Sequence, residues 1–356
     1  MGASEINVGV LGCGPIAQAA HFESCVKAKN ARLYAICDVA DDLRDRMAAT
    51  HAPDVAYADY EAMLADPNVD AVIIATADAF HVAASVRALD AGKHVLCEKP
   101  VATDLADAFA LQDAVNASGR LFQLGHMKRF DAGLQAAHGF ITTEMGAMVA
   151  LKAWYCDSTH RYAMTDAVQP SMVKSKNARK PDGNPKADLT RYYMLAHGSH
   201  LVDTARYFAG AIKSVRARLS KDRGMHCWFV ETDFENGVLG HLDLTVAVRM
   251  DWHEGFQIYG ENGSVVGRTY NPWFYKTSDV DIFREGDGTT HRVLGADGHF
   301  YRRQLEAFAD AVLSGSPVVG ADIEDGVASM RAMIAIARSA QAGGATVHLA
   351  DVSGAL

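Results

Sequence analysis

The stretch "VGVLGCGPIAQAAH", Val8 to His21, decides the fold. Its first half is continuously apolar, as a strand covered on both faces is, and its second half opens a helix. Between them Gly12, Gly14 and Ala17 fall in a G-x-G-x-x-A pattern, with Pro15 and Ile16 completing the turn. Gly12 permits the tight turn, Gly14 leaves room for a pyrophosphate against the backbone, and Ala17 is small enough for close helix packing. Glycine turns after strands are common, so the motif takes its meaning from its context, above all a second strand ending in Asp38. An acidic side chain roughly 20 residues past the motif can accept hydrogen bonds from the adenosine ribose hydroxyls. The same carboxylate repels a 2'-phosphate, and Val39 and Ala40 bring no cation to compensate. NAD is therefore the expected cofactor and NADP the less favoured one. The plainer alternative is that Asp38 only caps the helix beginning near Asp41.

Working outward, "INVGVL" (6–11), "RLYAIC" (32–37), "DAVIIA" (70–75), "HVLC" (94–97) and "LFQL" (121–124) are short apolar runs. Helical patterns at about 15–28, 41–50, 59–65, 81–91 and 103–118 separate them. Strand alternating with helix predicts an α/β fold whose N-terminal part is a doubly wound Rossmann parallel sheet. After about residue 147 the pattern changes to period-two alternation, as in "VALKAWYC", "HCWFVETDFE", "VLGHLDLTVAVR", "WHEGFQIYGE" and "SDVDIFRE". Asn-Gly pairs at 236–237 and 262–263 sit where hairpin turns need positive φ. This pattern predicts a C-terminal α+β domain with a large, open, mostly antiparallel sheet and helices at about 197–208, 302–314 and 324–342. The expected division is 1–125 for the NAD-binding domain and 126–356 for substrate binding and oligomerisation.

The 356 residues are too many for one ordinary core, which agrees with two domains. A net charge of -9 disfavours nucleic-acid and anionic-membrane partners. The six cysteines, at 13, 25, 37, 97, 156 and 227, form no C-x-x-C pair and no zinc-like spacing. Reduced thiols, no metal and a cytoplasmic location are the expectation, since neither a signal peptide nor an apolar run of about 18 residues is present. One segment, 166–191, fits neither pattern. It holds Pro170, Pro181 and Pro185, and Lys174, Lys176, Arg179, Lys180, Lys186 and Arg191 outnumber its acidic residues. It reads either as a solvated loop or as a lid or subunit-contacting arm over the substrate.

Ligands of a doubly wound sheet lie outside the carboxyl ends of its strands. That places Thr76, Asp78 and His81 after one strand, and Glu98, Lys99 and Pro100 after another, at the cofactor cleft. A lysine there can stay charged beside a carboxylate, hydrogen-bond a substrate hydroxyl and stabilise a developing alkoxide. A surface ion pair is the plain alternative. The turn at Pro100 is expected to carry a cis Lys99–Pro100 bond.

The segment "AGKHVLCEKPVAT" resembles the E-K-P signature of the glucose-fructose oxidoreductase and inositol dehydrogenase family, Gfo/Idh/MocA. "GHMKRFD" (125–131), "GSHLVDTARYFAG" (198–210) and "RRQLEAFADAVLSG" (302–315) extend that resemblance along nearly the whole chain. It implies that Lys99 is the catalytic lysine, oriented by Glu98, and that His200 takes the hydroxyl proton as NAD accepts hydride. Arg129 matches an arginine near the substrate, and Tyr155, His197 and Lys99 join it and His200 as substrate-binding candidates. The implied reaction oxidises a secondary hydroxyl of a sugar, sugar derivative or cyclitol. The implied partner is a second copy of the chain on the open sheet, in a dimer or tetramer.

Two positions depart from the family pattern. Ala196 stands where many sugar-oxidising members carry Asp, and His197 beside it is a candidate substitute. Thr76-Ala77-Asp78 replaces the usual T-P-N. His197, His200 and Asp203 also sit at i, i+3 and i+6, where a metal site is a rival reading. A non-catalytic NAD-binding sensor, and an enzyme that cleaves or eliminates through a transient ketone, are the rival functions.

Overall fold

Val8 and Val10 on strand β1 (Ile6–Leu11) are completely buried in the computed structural model, which describes residues 4–158, 171–295 and 298–356. With β2 (Ala31–Cys37), β3 (Val55–Tyr57), β4 (Ala71–Ile74), β5 (His94–Cys97) and β6 (Phe122–Leu124), β1 forms a parallel sheet. The order is β3-β2-β1-β4-β5-β6. Every residue of β4 is buried, which requires cover on both faces and explains why these strands read as continuous apolar runs. The order reverses between β1 and β4, so a crevice opens outside the carboxyl ends of those two strands.

Phe22, Ile36, Ile73 and Leu96 share one core with Leu305 and Phe308 from the helix Phe300–Ser314. Burying side chains of this size stabilises the unit by roughly 1.5 to 3 kcal/mol each. The unit accordingly comprises Met1–Met127, Pro170–Pro185 and Phe300–Val327, three stretches of chain rather than residues 1–125 alone.

The second unit comprises Lys128–Gln169, Lys186–His299 and Ala328–Leu356. Its sheet contains β7 (Met148–Ser158), β8 (Ile212–Asp222), β9 (Met225–Phe234), β10 (Leu239–Val248) and β11 (His253–Gly260). The remaining strands are β12 (Gly263–Thr269), β13 (Asp279–Arg284), β14 (Thr289–Arg292) and β15 (Val347–His348). The order β14-β13-β12-β11-β7-β10-β9-β8-β15 is antiparallel except where β7 lies parallel to β10. Asn236–Gly237 makes the expected turn, with Gly237 at φ +87° between β9 and β10, whereas Glu261 and Asn262 turn β11 into β12 and Gly263 already opens β12.

Among the described residues, the sequence patterns leave unmarked β3, β8, β12, β14, β15 and the helix Ala132–Thr143. The 166–191 segment also differs from the single loop expected. Its last residues form a helix, Leu189–Tyr193, because Asp188 accepts from the amides of Thr190 and Arg191. Residues 166–170 lie outside the described part of the chain.

Candidate active site

In the first unit, β1 is followed by Gly12, whose φ is +95° and whose absent Cβ would lie 2.9 Å from the Ala75 carbonyl oxygen. Only glycine allows the loop to approach β4 so closely. Gly14 differs, since a Cβ there would meet no atom of the described residues within 4 Å. The space over Gly14 fits a pyrophosphate against the backbone, with Pro15 and Ile16 leading into the helix. Asp38, at the end of β2, accepts from the Cys13 amide at 2.8 Å and from the Ala40 amide at 2.9 Å, one through each carboxylate oxygen. Those bonds fix the carboxylate beside the glycine loop and leave lone pairs for ribose hydroxyls. The helix after β2 has its N-cap at Ala40, which makes no side-chain cap, so Asp38 does not act as the N-cap of that helix. This donor set fits a dinucleotide.

Beyond β4, Thr76 and Asp78 are half-buried, and Asp78 begins a short turn of 3-10 helix. His81 is buried, with Nδ1 2.8 Å from the Pro100 carbonyl oxygen and Nε2 3.3 Å from that of Thr76. It ties the loop after β4 to the loop after β5. A neutral imidazole can donate to only one of those carbonyls, so the pair favours the protonated ring. Burial opposes the charge, but Cys97, Asp78 and the Pro100 carbonyl outweigh it and raise the pKa from 6.5 to about 10. A raised folded pKa adds stability that is complete below pH 6.5 and disappears as pH climbs towards about 10. The melting temperature of wild type relative to His81→Gln should therefore fall between those limits, and a constant difference would contradict the charged ring.

Beyond β5, the Lys99–Pro100 bond is cis, as expected. Glu98 is buried and accepts from His21 Nε2 at 2.9 Å and from the Lys99 amide at 3.3 Å. Burial pushes the carboxyl pKa up, yet the His21 hydrogen bond and the charges of His21, Lys99 and His81 more than offset it and hold it below its ordinary value. An anionic Glu98 thus backs the half-buried Lys99. His21 ends the Val8–His21 stretch and had no assigned role, because nothing in its spacing shows the partner far along the chain.

In the second unit, Tyr155 and Asp157 lie two residues apart on the buried face of β7. Met194–Gly198 makes one π-helical turn and runs into the helix Ser199–Ala209, presenting His197 and His200. His197 Nδ1 is 3.3 Å from Asp157 Oδ2 and 3.2 Å from the Tyr155 hydroxyl. The Tyr155 ring lies parallel to His200 at 5.9 Å between centres and edge-on to Trp252 at 5.1 Å. Lys128 caps the same ring at 4.6 Å and pairs with buried Glu254. Tyr155, His197 and His200 are thus brought together, with Asp157, Lys128 and Glu254 as neighbours that sequence reasoning missed. Arg129 instead meets Asp203 through Nε at 3.1 Å and Nη2 at 2.7 Å, over the Tyr207 ring. That pairing engages both carboxylate oxygens of Asp203.

The family model described as "Oxidoreductase family, NAD-binding Rossmann fold" matches residues 6–126. Its companion, "Oxidoreductase family, C-terminal alpha/beta domain", matches residues 193–349. Inositol 2-dehydrogenase 2 of Saccharopolyspora erythraea is 29% identical over 334 residues, covering 91% of this chain and 90% of that one. D-xylose 1-dehydrogenase (NADP(+)) 2 of Haloferax volcanii is 29% identical over 347 residues, with 95% and 96% covered. A solved structure of levoglucosan dehydrogenase with NADH and levoglucosan shares the fold at a TM-score of 0.78 and 19% identity, covering 97% of this chain and 99% of the other.

Proposed function

The chain belongs to the Gfo/Idh/MocA oxidoreductase family, and from that premise we propose that it is an NAD-dependent dehydrogenase of a sugar, sugar derivative or cyclitol, converting a secondary hydroxyl to the ketone. The observation that carries this reading is the Glu98–Lys99 pair, an ammonium backed by a buried carboxylate at the carboxyl end of β5. When bound, the nicotinamide supplies the hydride acceptor. The glycine-loop amides hold the pyrophosphate, and Asp38 binds the ribose hydroxyls and disfavours a 2'-phosphate. Lys99 hydrogen-bonds the substrate hydroxyl and stabilises the oxygen as it gains negative charge. His200 takes the hydroxyl proton, and its imidazole suits that exchange near neutral pH. Arg129, held by Asp203, positions the helix that carries His200.

Ala196 leaves this chain without the carboxylate common in the family, and the Asp157–His197 pair supplies one. With its hydrogen on Nδ1 facing Asp157, His197 keeps the Nε2 lone pair as an acceptor. Asp157→Asn removes the charge that fixes this tautomer and should lower kcat on the order of a hundredfold, as should His200→Ala. Asp157→Asn should also move the acidic limb of the pH–rate profile, whereas a purely structural loss would leave the limb in place.

Incubation with NAD and a panel of inositols, monosaccharides and sugar acids, together with product analysis, tests the reading. NADH together with a ketone is the expected result. A cleaved or eliminated product without NADH would replace the dehydrogenase with a redox-cycling enzyme, and tight NAD binding without product would replace it with a sensor. The open face of the large sheet exposes Phe229, Val266 and Phe283 among charged neighbours, a mixed surface that suits a second copy of the chain. Sedimentation equilibrium should find a dimer or tetramer, and a monomer would remove that part of the proposal.

A further inference from the structure

The basic stretch from Val173 to Arg179 is bound to the nucleotide-binding unit at defined points. The Gln18 amide, one residue past Ala17, exchanges two hydrogen bonds with the Val173 backbone. Its Nε2 donates to Val173 O at 3.0 Å, and its Oε1 accepts from Val173 N at 2.9 Å. The same Nε2 donates to Cys13 O at 2.9 Å, so one side chain links the segment to the glycine loop itself. Ser175 Oγ donates to Asp42 Oδ1 at 2.6 Å, four residues beyond Asp38. The Arg179 guanidinium lies 4.8 Å from the centre of the Phe80 ring, in the turn after β4. Val173 and Ala178 are partly buried against the core that contains Val8, Val10 and Phe22.

These anchors track the carboxyl ends of β1, β2 and β4, the strand ends that frame a dinucleotide crevice in a doubly wound sheet. A solvated excursion would show no such convergence, nor pack two partly buried apolar side chains against the core. Lys174, Lys176 and Lys180 lie exposed along the segment and add positive potential where an anionic nucleotide enters.

We propose that Val173–Arg179 is a strap across the mouth of the nucleotide crevice, and that its undocking limits how fast the dinucleotide leaves. The proposal rests on reading the first unit as an NAD site. It assigns this part of the segment to cofactor retention rather than to the substrate.

Stopped-flow displacement of bound NADH, with NADPH in parallel, tests it on wild type, Gln18→Leu and the double variant Ser175→Ala/Arg179→Ala. Each replacement removes strap anchors, so dissociation should accelerate about tenfold or more, the effect of one or two lost hydrogen bonds. The double variant leaves the glycine loop and its Gln18 contacts untouched, which keeps the test valid if Gln18→Leu folds poorly. Tight binding with an unchanged dissociation rate in the double variant overturns the strap and spares the NAD site. Failure of wild type to bind either nucleotide overturns both.

Discussion

Lys99→Ala should lower kcat on the order of a hundredfold or more while leaving NADH affinity at the wild-type level. The expectation comes from how the ammonium is supported. Glu98 is buried, held anionic by His21 and its cationic neighbours, and adjacent to Lys99 in the chain. A carboxylate kept charged in the interior at the carboxyl end of β5 makes chemical sense if a cation beside it must remain charged as a substrate oxygen becomes negative. An exposed ion pair would contribute about 0 to 1 kcal/mol and could be removed with little consequence. Arginine should not restore the rate, because a planar guanidinium cannot replace a compact ammonium at one oxygen. Loss of NADH binding in Lys99→Ala, or near-normal turnover, would refute its assignment to the chemistry.

Gly14→Val should raise the dissociation constant of NADH by about a hundredfold or more with little change in melting temperature; a factor of ten corresponds to about 1.4 kcal/mol. The two outcomes separate because no atom of the described residues lies within 4 Å of a Cβ at Gly14, which leaves open space where the side chain begins. The added atoms would fill the space in which a pyrophosphate meets the loop amides. Gly12 makes an instructive contrast. Its positive φ and the 2.9 Å approach to the Ala75 carbonyl mean that a substitution there damages the fold itself. Fluorescence titration with NADH beside a thermal melt distinguishes them, and wild-type affinity in Gly14→Val would place the nucleotide elsewhere.

The first unit was legible because its strands are covered on both faces. Ala71 to Ile74 are all buried and therefore read as one apolar run, and the glycine motif identified the strand where the crevice begins. Strand β8 was not legible. Val215, Ala217 and Leu219 alternate with Arg216, Arg218 and Ser220, but the run is short and a register shift between Ile212 and Ser214 interrupts it before Val215. The same limit applies to the site. Glu98 and Lys99 are neighbours in sequence and at a strand end, so topology alone placed them. Lys128 and Glu254 are 126 residues apart and meet only because β11 pairs with β7, opposing Glu254 to Tyr155. Asp157 meets His197 because one lies on the inner face of β7 and the other on the turn that leads into the helix Ser199–Ala209. No local pattern encodes either meeting. For the 166–191 segment, the basic composition indicated a role but not its place, which depends on Gln18, Asp42 and Phe80.

The direct test is hydride transfer itself. The active substrate found in the panel is prepared with deuterium on the carbinol carbon, and NADH is isolated after turnover with unlabelled NAD. Deuterium on the nicotinamide ring, equal in amount to the ketone formed, is the expected result. Ketone formed while the isolated nucleotide carries no label would contradict oxidation by hydride transfer to NAD.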